Sequence, residues 1–399
     1  MVSDLFKNSC TNNTTRGLVI VLGASSGWGH MQAAINIAKW LTRTNPAQQV
    51  LVLDAYTFVP NHIKWLARTA WRWLSLYAPA LYRRIHGHLI EGDPRWKLTR
   101  NNQAELEKLI LGANGRGQVD AVIATHPAAV RIGAHLKRSF GCQFYVVPTD
   151  FVFHNLYCDE LVDQYWVTPY SRVVGVKARA VLSEVPLKVA KTGIPLAPEF
   201  ESMNSSRQLR LQANEDRPLK ALVTFGGEGL RFRHNLAWLR KLITQLPDVS
   251  WTLICGKDRA LQSKLERWKQ GQKTLTSLRI EGFSENMAGL MRDADVVLGK
   301  AGGLSVSEAA YMKIPLVILD KLPGQEDFNA SLVCQNGLGI ETHEIEEVVN
   351  FIRLIGSATW ARAWQSGVGR IHVNCGGRDI ADRISVEVEK RQSSKATFA

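Results

Sequence analysis

Apolar residues fall along the chain in short continuous runs, separated by longer stretches in which apolar positions recur every three or four residues. In the first half the runs are 18–23 (LVIVLG), 50–54 (VLVLD), 120–125 (DAVIAT), 143–148 (QFYVVP) and 163–168 (DQYWVT). Runs of this length, bounded by turn residues and alternating with helical stretches, predict strands buried on both faces of a parallel sheet. The rhythm pauses over 191–218, where prolines, serines and charges carry no period. It resumes at 220–225 (KALVTF), 251–255 (WTLIC), 279–280 with 282–283, 295–298 (DVVL) and 315–319 (PLVIL). The pattern predicts an α/β domain over 1–195, a linker over 196–218, a second α/β domain over 219–375, and a C-terminal helix and tail over 376–399. The helical period is clearest over 378–391, and the last few residues read as disordered. Two such sheets joined near residue 200 are expected to form a cleft between the carboxyl ends of their strands, where open α/β sheets take ligands.

One stretch departs from this rhythm. HIKWLARTAWRWLSLYAPALYRRIHGH (62–88) is aromatic and basic together. On a helix, Lys64, Arg68 and Arg72 form a stripe at i, i+4 and i+8. Trp65, Leu66, Trp73, Leu74, Tyr77 and Leu81 form a broad apolar face beside it. Two readings fit: a helix lying on an anionic membrane, or an amphipathic helix with its tryptophans in the core of its own domain.

At 399 residues the chain is too long for one ordinary core, and 45% hydrophobic with 21% charged residues is the composition of a globular protein. No run approaches the ~18 apolar residues of a spanning helix, and the first residues lack the apolar stretch of a secretory signal. Six cysteines at 10, 142, 158, 255, 334 and 375 show no metal-ligand spacing. They are expected as free thiols in a reducing compartment. The net charge of +13 is uneven: residues 1–200 carry 22 Lys and Arg against 13 Asp and Glu, the remainder 27 against 23. The excess marks either an anionic partner surface or simply a basic protein. With no RNP, helix-turn-helix or zinc-finger signature, nucleic acid is not expected as that partner.

The first run ends in GASSGWGH (23–30), a glycine-rich turn lacking both GxGxxG and a Walker lysine. Their absence argues against a nicotinamide dehydrogenase and a P-loop hydrolase, and leaves Asp54 to a structural role at the end of the second run. His30 is the candidate base, because an imidazole with an ordinary pKa near ~6.5 suits proton abstraction at neutral pH. Asp150 is a second candidate base, or the group that orients His30. His126 and His154 either line the same pocket or are loop histidines bonded to backbone. Gly226 and Gly227 follow the 220–225 run, where backbone N–H groups could meet phosphate oxygens, although any tight turn uses glycine there.

The densest stretch is DVVLGKAGGLSVSEAAYMKIPLVILDKLPGQEDFNA (295–330). Lys300, Gly302 and Gly303 precede a helix expected to start near Leu304 or Ser305 and make a second anion cradle. Glu308 is placed either to bind ribose hydroxyls or to complete a capping box with Ser305. Gln325 and Glu326 stand on a loop suited to reading sugar hydroxyls.

These residues carry a resemblance. Residues 282–330 are similar to the donor-nucleotide region of the family containing monogalactosyldiacylglycerol synthases, processive diacylglycerol glucosyltransferases and, more distantly, the lipid II N-acetylglucosaminyltransferase. The first half resembles the diacylglycerol branch in order: GASSGWGHMQAA at 23–34, THP at 125–127, TDFVFHNLY at 149–157, VTPYSRV at 167–173 and GIPLAPEF at 193–200. The resemblance implies a GT-B fold of two Rossmann-like domains facing a central cleft. It implies transfer from a UDP-sugar, with inversion, to a membrane-lipid hydroxyl such as that of diacylglycerol, without a metal or other cofactor. It also implies a place on the cytosolic face of an anionic membrane.

By the same resemblance Gly226, Gly227, Lys300, Gly302 and Gly303 cradle the diphosphate, and Phe283 lies against uracil. Glu308 binds ribose, and Gln325 with Glu326 binds the donor sugar. His30 and Asp150 face the acceptor hydroxyl, with Gly27, Gly29, His126 and His154 around them. Lys64, Trp65, Arg68, Arg72 and Trp73 would meet the membrane. Three residues depart from the family pattern: Ala301 stands where Pro is common, Trp28 replaces a smaller residue, and Met31 stands where a basic residue is frequent. The last two are expected on the acceptor side. Other acceptors, polyprenyl-linked or small, and the sugar-nucleotide 2-epimerases that share the architecture are the competing expectations. The diacylglycerol-type motifs and the 62–88 stretch weigh against the epimerases.

Overall fold

The computed structural model describes residues 17–25, 28–60, 65, 73–74, 77–92, 98–114, 118–204, 218–226, 236–272, 277–357, 360, 364 and 373–397. The chain divides into two compact units, Met1–Pro198 with Asn374–Ala399, and Glu199–Val373.

The strands of the first unit are β1 (Leu18–Gly23), β2 (Gln49–Asp54), β3 (Val119–Ala124), β4 (Gln143–Val146), β5 (Val152–His154), β6 (Gln164–Val167), β7 (Arg172–Val174) and β8 (Val189–Lys191). Six form one parallel sheet in the order β2-β1-β3-β4-β6-β8, while β5 and β7 pair apart from it. The helices are α1 (Gly29–Thr44), α2 (Pro79–Glu91), α3 (Arg100–Asn114), α4 (Pro127–Phe140), α5 (Val176–Glu184) and, from the far end of the chain, α12 (Gly376–Thr397). Every residue of β1 is buried, because β1 is an inner strand covered on both faces. Ile20, Leu22, Val122 and Phe144 point into one core, and Val19, Val21, Ile123 and Tyr145 into the other, the two-residue alternation of a strand. Burying each such side chain stabilises the fold by ~1.5–3 kcal/mol.

The second of these cores is closed by α1 and α12 through Met31, Ile37, Trp40, Ile380, Ile384 and Val388. The final helix runs past the 378–391 expected from its period. Arg391 ties it down by donating to the carbonyls of Asp120 (3.1 Å) and Gly141 (2.8 Å). The aperiodic stretch after 191 is not slack where it leaves β8. Ile194 and Leu196 are buried. Asn36 Nδ2 donates to Pro195 O (2.9 Å), and Trp40 Nε1 to Leu196 O (2.8 Å). Irregular backbone packed against α1 loses its period there, while residues 205–217 of the expected linker lie outside the described residues.

The second unit contains β9 (Lys220–Thr224), α6 (Leu236–Gln245), β10 (Ser250–Ile254), α7 (Arg259–Gln270), β11 (Leu278–Glu281) and α8 (Met287–Asp293). It continues with β12 (Val296–Lys300), α9 (Gly303–Tyr311), β13 (Leu316–Asp320), α10 (Gln325–Gln335), β14 (Gly339–Glu341) and α11 (Ile345–Ile355). Its strands form a parallel sheet in the order β11-β10-β9-β12-β13-β14 around Val223, Trp251, Leu253, Leu298 and Val317. The broken run at 279–283 is one strand, Leu278–Glu281, with Gly282 and Phe283 beyond its end.

In each sheet the winding direction reverses once, between β1 and β3 in the first unit and between β9 and β12 in the second. Loops leaving the carboxyl ends of strands diverge at such a point and open a ligand crevice. The fold therefore sets the glycine-rich turn after β1 beside the Thr125–His126 turn after β3. In the second unit it sets Gly226 beside the Lys300–Gly303 turn.

Candidate functional site

In the first unit the turn after β1 is held from three sides. A Cβ on Gly23 would lie 2.9 Å from Met31 Sδ and 3.0 Å from Met31 Cα, so only glycine lets α1 approach the strand end this closely. Met31 is fully buried against that glycine, a correction to the expectation that it faces the acceptor. Asp54 Oδ1 accepts from the N–H groups of Ser25 (3.1 Å) and Tyr56 (3.0 Å), the structural task left to it by sequence. Trp28 precedes α1 in the left-handed region (φ 66°) and packs its ring on the α1 core. Gly29 opens α1, and Gly27 lies outside the described residues.

His30 sits in the first turn of α1. Its Nδ1 is 3.2 Å from the carbonyl of Thr125 and 2.5 Å from the hydroxyl of Thr149. A carbonyl only accepts, so Nδ1 carries the proton and Nε2 keeps the lone pair. Thr125 closes the loop by donating its hydroxyl to the His30 carbonyl (2.9 Å). The ring of His126 meets His30 edge-on at 4.5 Å. His126 Nδ1 accepts from Ala128 N–H (3.0 Å) and caps α4, so this histidine joins a backbone bond to a place beside the candidate base. Burial, then the nearness of His30 and His154, holds its pKa well below the ordinary value. His154, at the end of β5, is buried and pushed down to about 3, chiefly by that burial. Asp150 is buried directly after Thr149; burial, with the Asp150 charge second, raises the phenol of Tyr157. Thr125 and Thr149 were not singled out by sequence, although each immediately precedes a residue that was.

In the second unit Lys300 ends β12, and its side chain passes between two glycines. A Cβ on Gly226 would be 3.3 Å from Lys300 Cε, and one on Gly302 would be 3.2 Å from it. Gly226 also has a φ of +71°, while Gly227 lies outside the described residues. The helix α9 begins at Gly303 with Gly302 as its cap, earlier than expected. Ser305 is thus inside the first turn, and the Ser305–Glu308 capping box does not form. Glu308, like Val306, Ser307, Ala309 and Ala310 of the same helix, is buried, and burial pushes its carboxyl up to about 8. Beside it in the chain, the buried Ser307 hydroxyl has no hydrogen-bond partner among the described residues.

The turn is braced by α10. Asn329 Nδ2 donates to Ala301 O (2.8 Å), and Lys300 Nζ donates to Glu326 Oε1 (2.9 Å). Glu326 Oε2 accepts from Leu322 N–H (2.5 Å). Gln325 is the first residue of α10, half-buried beside it. Phe283 is exposed, with Lys257 Nζ 5.6 Å from its ring centroid.

Lys64, Arg68 and Arg72 lie outside the described residues. Leu66 lies outside them too and Leu74 is half-buried, but four of their apolar neighbours are on the surface: Trp65 is 64% exposed, Trp73 57%, Tyr77 64% and Leu81 49%. The core-packed reading of this segment therefore fails for both tryptophans. Among the described residues no helix is long and apolar enough to cross a membrane.

Residues 222–350, from β9 into α11, match the glycosyltransferase family 28 C-terminal domain. The chain is 28% identical over 340 residues to the processive diacylglycerol beta-glucosyltransferase of Bacillus cereus (strain AH187), covering 83% of each protein. It is 28% identical over 231 residues to the enzyme of the same name from Bacillus cytotoxicus, where the match spans 57% of this chain and 58% of that one. Among solved structures it resembles MurG of Acinetobacter baumannii (TM-score 0.56, 14% identity, 93% of this chain and 99% of that one). A UDP-GlcNAc 2-epimerase from Neisseria meningitidis bound to UDP-GlcNAc gives a TM-score of 0.55 at 12% identity, over 94% and 100%. These likenesses establish the GT-B fold. Being equal, they do not separate transferase from epimerase; the sequence relatives and the family 28 domain do.

Proposed function

Since the chain belongs to the family 28 glycosyltransferases that include the processive diacylglycerol glucosyltransferases, we propose that it moves a sugar from a UDP-sugar to a membrane-lipid hydroxyl. Diacylglycerol is the acceptor we propose, and the product a β-glycolipid formed with inversion. The observation that carries this reading is His30, whose Nδ1–H is fixed by Thr125 and Thr149 so that Nε2 is the basic nitrogen. As the acceptor oxygen bonds to the anomeric carbon and the bond to UDP breaks, Nε2 takes the hydroxyl proton. The Thr125 carbonyl steadies the imidazolium that results. Charge developing on the departing diphosphate meets Lys300 and the N-terminus of α9, electrostatic stabilisation that needs no metal. Glu308 accepts from ribose hydroxyls, Gln325 from the donor sugar, and Phe283 packs on uracil. The exposed Trp65, Trp73, Tyr77 and Leu81, beside a basic sequence stripe, support docking on an anionic bilayer.

Liposomes containing diacylglycerol and labelled UDP-glucose, UDP-galactose, UDP-glucuronate or UDP-N-acetylglucosamine test this directly. Label should enter lipid with one of them, in the presence of EDTA, with a β linkage by NMR. Absence of lipid label with every donor would sink the reading. His30→Ala should lower turnover by ~10²–10⁴, and Thr149→Val, which leaves the Thr125 carbonyl in place, should lower it less.

A further inference from the structure

The sequence resemblance hands Glu326 to the donor sugar, yet its two oxygens are already engaged inside the second unit. One accepts from the Lys300 ammonium and the other from the Leu322 N–H. The carboxylate is the buried partner of the ion pair, with 6% of its side chain exposed against 31% for Lys300. It stands in the first turn of α10, where the helix dipole favours an anion. It is therefore the fixed member, and the lysine, on its flexible four-carbon stem, is the movable one. The ammonium is held where Gly226 and Gly302 leave room for its stem, at the mouth of the turn that would receive the diphosphate.

We propose that Glu326 is a built-in counter-anion for Lys300, which holds the ammonium in place while the site is empty and competes with the diphosphate for it when the site is full. This rests on the donor-site reading above. A diphosphate bound at Lys300 faces a buried like charge that cannot withdraw, so the product UDP is held less tightly than the cradle alone would hold it. The intact donor makes further contacts through its sugar, and these offset the penalty before transfer but not after it. Glu326 thus favours UDP release, a step that limits turnover in many enzymes. Gln325, neutral and one residue earlier, remains to read the sugar.

The test is calorimetric titration of the full chain with UDP and with the accepted UDP-sugar, alongside steady-state kinetics. Glu326→Gln should bind UDP ~tenfold more tightly, with a lower donor KM and a lower kcat as release slows. In a Lys300→Met background, where no ammonium is left to compete for, the same substitution should not weaken UDP binding, and any gain should come only from removing the like charge. Glu326→Ala serves if the glutamine variant fails to fold, with thermal melting as the check. Unchanged UDP affinity with weakened donor binding would assign the carboxylate to the sugar and overturn the proposal. Weaker binding of both ligands would make Glu326 a support for Lys300 and overturn it too. Should the wild type bind no UDP at millimolar concentration, the donor-site reading itself falls.

Discussion

A backbone carbonyl determines which nitrogen of His30 is protonated, and that carbonyl belongs to a residue 95 positions away. The histidine was legible in the sequence because its glycine-rich turn placed it at a strand end. Its partners were not, because only the order of strands brings the ends of β1, β3 and β4 together. Glu308 shows the same division: its position was legible, but not the dryness of its surroundings. The unfolded chain loses the Glu308 proton near the ordinary value of 4.5, while the folded protein keeps it until about 8. Stability from this group is complete below the lower value and is lost as pH rises through the upper one. Glu308→Gln should therefore be more stable than wild type at pH 8, by roughly 1–4 kcal/mol, with the difference closing near pH 4.5. Urea unfolding at the two pH values measures it. Glu308→Ala, which removes the oxygens proposed to meet the ribose hydroxyls, should bind UDP more weakly, as calorimetric titration would read.

At the scale of elements, strands inside a sheet were readable because burial on both faces leaves no polar residue to break the run. The three-residue strands β5, β7, β8 and β14 escaped, being too short to show a pattern. The early start of α9 escaped because Gly302 serves as a cap with no side chain to announce it. For the aromatic segment the sequence offered surface and core equally, and exposure of Trp65 and Trp73 chooses the surface. The variant carrying Trp65→Glu and Trp73→Glu should lose at least ~tenfold in binding to phosphatidylglycerol vesicles, given ~1.5–3 kcal/mol per inserted large side chain. Its melting temperature should stay near that of wild type, because neither ring is packed in the core. Flotation on a sucrose gradient reads the first quantity, and unaltered flotation would remove the membrane from the account of this segment.

For the molecule as a whole, the sequence foretold two α/β halves and a final helix but not which half the helix completes. Its apolar positions Ile380, Ile384 and Val388 announce a covered face without naming the cover. The cover is the β1–α1 side of the first unit. Ile384→Ala should cost about 2–4 kcal/mol, seen in urea unfolding followed by the fluorescence of the buried Trp40 and Trp166. A loss below 0.5 kcal/mol would mean that the helix lies loosely on that face.

That return of the chain sets an order of events during synthesis. The first unit leaves the ribosome early, but the helix that seals Val19, Val21 and Trp40 is translated only after Glu199–Val373 has been made. At ~5–20 residues per second that interval is roughly 10–35 s. Through it, the amino-terminal half waits with that core covered by α1 alone, a natural place for a chaperone to bind, and the half made first is the last to be finished.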